Sequence, residues 1–168
     1  MEVPMNESHL DMLYTLAKEL NTSEDIPTML DAVITHLPRV VGARYCSLFL
    51  RNPSSGELEI KAHNHTDIGE DPFIHVGSQQ ESIMNLVLAR NASLIIRDIE
   101  EEIGIQNKDK YTTKSFMCIL VRHADEIKGV LNLADKANGG FTKEDMLISS
   151  IVSELLAALL ARIDLNTV

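Results

Sequence analysis

Cysteine is scarce in this chain: Cys46 and Cys118 are the only two in 168 residues. Each lies inside an apolar, strand-like run, which excludes a disulfide scaffold and fits a reducing compartment. Basic residues are also few. Fifteen Lys and Arg stand against 25 Asp and Glu, for a formal net charge of -10, and phosphate backbones are bound by clustered cations, so nucleic acid is not an expected partner. The start, Met1-Glu-Val-Pro-Met-Asn-Glu7, lacks both the basic residues and the apolar run of a secretion signal. The longest apolar tract, Met146 to Ala161, is interrupted by Ser149, Ser150, Ser153 and Glu154 and falls short of the ~20 residues of a membrane span. Neither a phosphate-cradling glycine loop nor a nucleophile elbow is present, and no internal repeat is found. The expectation is one soluble, cytoplasmic, non-enzymatic domain over residues 1–168 with no membrane partner.

What is there reads as an α+β chain. Leu10, Leu13, Ala17 and Leu20 recur at spacings of three and four, a narrow stripe of the coiled-coil kind on a helix over residues 7–21. Asn21 to Asp25 breaks that helix, Pro27 suits a first turn, and Ile26, Leu30, Val33, Ile34 and Leu37 form the wider face of a helix on a sheet, ended by Gly42. Ala43 to Arg51 and Glu57 to His65 are strands joined by Asn52-Pro-Ser-Ser-Gly56. Thr66 to Pro72 is a polar loop, Glu81 to Ala89 a short helix, Ser93 to Ile96 a strand, and Asp98 to Tyr111 a charged connection. Ser115 to Val121 and Ile127 to Leu133 form a second hairpin, and Asn138-Gly139-Gly140 marks a turn of positive φ before a helix that starts near Thr142.

That last helix, taken as 143–164, carries more apolar residues than one face can use. Ile148, Ile151, Val152, Leu155 and Leu159 are read as the sheet-facing stripe, with Leu147, Leu156, Leu160 and Ile163 around the side. With the stripe on the first helix, this predicts a homodimer through both ends of the chain, with Leu13, Leu20, Leu156 and Leu160 at the seam.

His63 and His65 are two apart on a strand and share a face, where His75, Asp67 or Asp71 would complete a metal site. With no cysteine or fixed third ligand there, they are read as solvated imidazoles, and no metal is expected. Asp135 to Met146 has the length of a calcium loop, but Ala137, Gly139 and Met146 stand where oxygen ligands are needed.

Taken together, Ala43-Arg-Tyr-Cys-Ser-Leu-Phe-Leu50, Ile127-Lys-Gly-Val-Leu-Asn-Leu133 and the segment from Lys136 to Asp145 give the chain a likeness, over residues 8 to 164: it resembles a GAF domain, the small-molecule sensory module of signalling proteins. The resemblance implies a central antiparallel sheet of five or six strands, with the terminal helices on one face and a short helix plus loops over a ligand pocket on the other. Similarity to the cyclic-nucleotide-binding members is partial. Lys136, Phe141 and Asp145 match their motif, while Asp135 and Met146 depart from it. Physically, Lys136 and Asp145 would bridge the strand end to the helix start while Phe141 pins the loop, a structural role with or without ligand.

By position in those members, Ser47, His63, Asn64 and Asp98 would face the pocket. Met84 and Asn85 stand on the short helix, where those members have small residues. The resemblance leaves the cofactor open, with cyclic nucleotide among the ligands it suggests. The free methionine sulfoxide reductases share this fold but need cysteines within residues 77–96, where this chain has none. No cysteine stands beside a His to carry a bilin. The implied role is the input module of a larger bacterial signalling protein whose output domain lies beyond Val168, with pocket occupancy passed through paired terminal helices. The alternative is a ligand-free dimerisation module.

Overall fold

Two hairpins and one long return build the sheet. The computed structural model describes residues 7–65 and 78–166. Its strands are β1 (Ala43–Arg51), β2 (Leu58–His63), β3 (Leu94–Ile96), β4 (Phe116–His123) and β5 (Glu126–Lys136). They pair antiparallel in the order β2-β1-β5-β4-β3. The helices are α1 (Glu7–Thr22), α2 (Ile26–Val41), α3 (Ser78–Arg90), α4 (Ile99–Glu102) and α5 (Lys143–Asn166).

Local chemistry sets the boundaries. The Asp25 carboxylate accepts from Thr28 N to cap α2, Pro27 sits in its first turn, and Gly42 closes it in the left-handed region at φ 73°. The turn into α5 takes positive φ at Asn138, Gly139 and Gly140. There Thr142 Oγ1 accepts from Asp145 N at 3.1 Å while Asp145 Oδ2 accepts from Thr142 N at 2.8 Å, a reciprocal capping box. Lys136 Nζ pairs with the same carboxylate oxygen, and Phe141 is buried beside it among the helix-face residues. The strand end, the loop and the helix start are thereby tied at one point.

Alternation along the central strands gives the sheet two apolar faces. Cys46, Leu48, Met117, Ile119, Leu131 and Leu133 meet α1, α2 and α5 on one side. Phe49, Ile60, Cys118, Leu120 and Val130 meet Ile83, Met84 and Val87 of α3 and Ile99 of α4 on the other. Layers of this kind are how an α+β domain buries both faces of an antiparallel sheet.

The terminal helices depart from the sequence expectation. Leu20, Leu156 and Leu160 are buried in the chain's own core, so they do not form a seam. Ile151, expected on the sheet, is instead 58% exposed, as are Leu10 (53%), Tyr14 (68%) and Leu147 (56%). The buried face of α5 runs through Ile148, Ser149, Val152, Ser153 and Leu156. Over Lys143–Ile163 this helix is long and apolar enough by composition to cross a membrane, more than its interruptions suggest, yet that face packs on the sheet as the core helix of a folded domain. A shallow apolar groove of about 310 Å³ between α1 and α5 is lined by Leu10, Leu13, Tyr14 and Ile151.

Candidate functional site

The register of the sheet places one polar row on the face under α3. His63 of β2 lies opposite Ser47 of β1, Ser47 opposite Asn132 of β5, and Asn132 opposite Cys118 of β4. Ser47 and Asn132 are buried, at 0% and 2% exposure. The Ser47 Oγ and both the Asn132 Oδ1 and Nδ2 have no hydrogen-bond partner among the described residues. Buried polar groups are almost always paired, and each one left unmade costs about 1–3 kcal/mol.

An aromatic and cationic cluster closes one end of this row. The Tyr45 ring stacks on His65 at 5.0 Å and meets Tyr111 at 5.2 Å. The ammonium of Lys110 lies 4.8 Å from the Tyr45 ring centre and donates to His65 Nδ1 at 2.7 Å. An ammonium has no lone pair to offer, so Nδ1 is the acceptor and the imidazole proton sits on Nε2. His65 N in turn donates to His63 Nδ1 at 3.1 Å. Lys108 lies over Tyr111 at 5.8 Å. The chain has three tyrosines, and two of them meet here beside two lysines.

Asp135 holds the segment that delivers Tyr111 and Lys110. It sits at φ 63°, is 3% exposed, and its Oδ1 accepts from Thr112 Oγ1 at 2.8 Å and Thr113 N at 2.7 Å. Burial pushes its pKa up, but the hydrogen bonds from Thr112 and Thr113 outweigh this and hold it below the ordinary carboxylate value. A carboxyl depressed on folding stabilises the fold above its unfolded pKa, and that contribution is lost as the pH falls through the folded value. Asp135→Asn should therefore cost about 1–3 kcal/mol at neutral pH. The gap to the parent should shrink as urea melts are repeated from pH 7 down to pH 3. A constant gap would show that the carboxylate charge is not what holds the loop.

The residues expected at a pocket separate into groups. Ser47 and His63 lie in the polar row. Asn64 does not join them: its Oδ1 accepts from Cys46 N at 2.7 Å and its Nδ2 donates to Arg44 O at 3.1 Å, extending the β1 ladder past the end of β2. Asp98 caps α4, accepting from Glu100 N and Glu101 N. Met84 is buried in the core under α3 and Asn85 is exposed. His65 is buried against Tyr45 and is not a solvated imidazole. Asp67, Asp71 and His75 lie outside the described residues, among which no group of three His, Cys, Asp or Glu is placed to hold a metal. Burial pushes both thiols well above their ordinary pKa, and Cys46 and Cys118 pack on opposite faces of the sheet, so neither is a resolving partner for the other.

Asn132, Tyr45, Lys110 and Tyr111 were missed by sequence reasoning. Asn132 carried a signal, a lone amide inside the apolar run Val130 to Leu133 on a strand with both faces covered.

The family model of the GAF domain matches residues 25–160. A sequence search of curated proteins finds no match. Among solved structures, the chain is similar to the GAF domain of an Acinetobacter phosphoenolpyruvate-protein phosphotransferase, with TM-score 0.75 and 17% identity, covering 94% of this chain and 95% of that one. The corresponding domain from Coxiella burnetii gives TM-score 0.74 and 20% identity, covering 95% and 96%. A free methionine-R-sulfoxide reductase from Neisseria meningitidis, solved with its substrate, gives TM-score 0.70 and 13% identity, covering 95% and 93%. At these identities the likeness is one of fold.

Proposed function

This chain belongs to the GAF domain family, sensory and regulatory modules of signalling proteins, and on that premise we propose that it binds a small molecule on the α3 face of its sheet. The observation that carries the reading is the pair Ser47 and Asn132, three buried polar atoms on neighbouring strands with no partner among the described residues. An amide offers a donor and an acceptor side by side, which suits a ligand with a mixed polar edge. Lys110 and the Tyr45, His65 and Tyr111 rings add a cation and flat apolar surface at one end. Cyclic nucleotides combine such an edge with an anionic group and head the compounds to screen.

In this reading, ligand contact biases α3 and the Tyr111 segment, and the sheet carries the bias to the helix face, where α5 leads towards an output domain. Homodimer pairing runs through the exposed Leu10, Tyr14, Leu147 and Ile151. The domain acts without catalysis, since the α3 face presents a single thiol, buried and protonated at neutral pH.

Asn132→Leu tests this directly. Replacing an unsatisfied buried amide by an apolar side chain of similar size should raise stability by about 1–2 kcal/mol and abolish the response to ligand. In the parent protein, a ligand at a hundred times its dissociation constant adds about 2.7 kcal/mol, roughly 5–11 °C in a thermal-shift assay. No shift from nucleotides, amino acids or other anions, together with a destabilised Asn132→Leu, would favour the ligand-free dimerisation module, in which Met84 and its neighbours fill the face. Turnover of free methionine sulfoxide would overturn the non-catalytic assignment.

A further inference from the structure

A second cavity, of about 590 Å³, opens on the opposite side of the sheet, between the start of α2, the β1–β2 and β4–β5 hairpins and Leu160 of α5. Its floor is aliphatic: Ile26, Leu30, Leu50 and Leu160. Its rim is cationic for a reason visible in the sheet register. Pairing of β1 with β2 passes from Leu48–Ala62 to Phe49–Ile60 and skips Lys61. Pairing of β4 with β5 passes from Val121–Gly129 to Arg122–Ile127 and skips Lys128. Both skipped residues line this cavity. A β-bulge re-aims the side chain of its extra residue, and here two bulges on different strands turn two lysines towards one space.

Arg51, at the end of β1, adds a third cation to the lining and makes no ion pair among the described residues. Against these stand two carboxylates, Glu59 at 2.8 Å from Lys61 and Glu126 at 3.3 Å from Lys128. Surface pairs of this kind hold their partners weakly and exchange readily for another anion. Three cations over two carboxylates make a locally positive rim in a chain whose net charge is -10.

We infer that this cavity is a second ligand site, and that it takes an aliphatic carboxylate of medium chain length, with its acyl chain on the Leu30–Leu50–Leu160 floor and its head group between Lys61, Lys128 and Arg51. The volume lies within the range of small-molecule pockets. The floor carries no aromatic ring, which favours an acyl chain over a planar ligand. Contact with Leu160 sets the ligand against the last turns of α5, independently of the polar row under α3.

The test is calorimetric titration of the full chain with octanoate, decanoate and decanol below their aggregation limits, with methyl chemical shifts recorded in parallel. Decanoate should bind one equivalent, about fifteenfold tighter than octanoate from its two extra methylenes. It should move the Leu30 and Leu50 methyls and leave Val130 and Ile96, across the sheet, in place. The triple variant R51Q/K61Q/K128Q, which changes two exposed residues and the half-buried Lys128, should fold as the parent does, lose tenfold or more in decanoate affinity and leave decanol unchanged. Absence of saturable binding, equal loss for decanol, or shifts confined to Val130 and Ile96 would overturn the assignment.

Discussion

Leu156→Glu should leave no folded protein. Leu156 is 0% exposed and packs in the helix-face core with Leu16, Leu20, Ile119 and Leu131. Truncating a buried leucine to alanine costs about 2–5 kcal/mol through lost transfer energy and the cavity left behind. Glutamate adds the burial of a carboxylate with no partner. Against a typical total of about 5–15 kcal/mol, the sum removes most of the stability. Ile151→Glu, one turn away on the exposed side at 58%, should change stability by about 0.5 kcal/mol or less. If the terminal helices pair as proposed, it should convert dimer to monomer. Circular dichroism melts and sedimentation velocity on the two variants separate these effects. A folded, monomeric Leu156→Glu would mean that this face of α5 meets a partner chain and not its own sheet.

The contrast between these two positions shows where the sequence is legible and where it is not. Turns and caps announce themselves through residues with few alternatives: Gly42 and Asn138-Gly139-Gly140 adopt positive φ, and Asp25 and Thr142 cap helices as their side chains allow. The hairpins follow from runs of β-forming residues with polar reversals between them, and β1 spans Ala43–Arg51 as its pattern predicts.

The face of α5 was not legible, because apolar residues surround the helix and periodicity cannot select one arc. Its buried face includes Ser149 and Ser153, at 0% and 2% exposure. A hydrophobic count treats these as interruptions, whereas close approach to β4 calls for small side chains. Likewise α4 is four residues long, too short for any period, and is marked only by its Asp98 cap. At the candidate site, Ser47 and His63 were expected from the resemblance to the cyclic-nucleotide-binding members, and the register sets them opposite one another. The cluster of Tyr45, His65 and Tyr111 was not expected, since it depends on Asp135 drawing a distant segment onto the sheet.

Gly129→Ala should be nearly as damaging as Leu156→Glu, for a reason that lies in the backbone. Gly129 sits in β5 opposite Leu50 of β1 and Val121 of β4. A Cβ there would stand 2.1 Å from Phe49 O, 3.1 Å from Phe49 C and 3.0 Å from Leu50 Cδ2. A flexible side-chain tip can rotate away, but a carbonyl in a sheet ladder cannot, so β1 would have to move. Overpacking a tight site typically costs about 1–3 kcal/mol through off-rotamer side chains and backbone shifts, and occasionally more; a carbonyl contact this short places Gly129 at the upper end. The expected loss is about 3 kcal/mol or more in urea unfolding. Gly56 provides the contrast: it needs φ 76° but has open space around its Cβ position, and Gly56→Asn should lie within about 1 kcal/mol of the parent, since asparagine tolerates that conformation. Because Ser47 and Asn132 pair on the same β1–β5 ladder three residues from Gly129, displacing β1 also separates the two polar side chains proposed to share a ligand. A Gly129→Ala protein of parental stability that still responds to ligand would show that the strands are not packed this closely and that the site does not depend on their spacing.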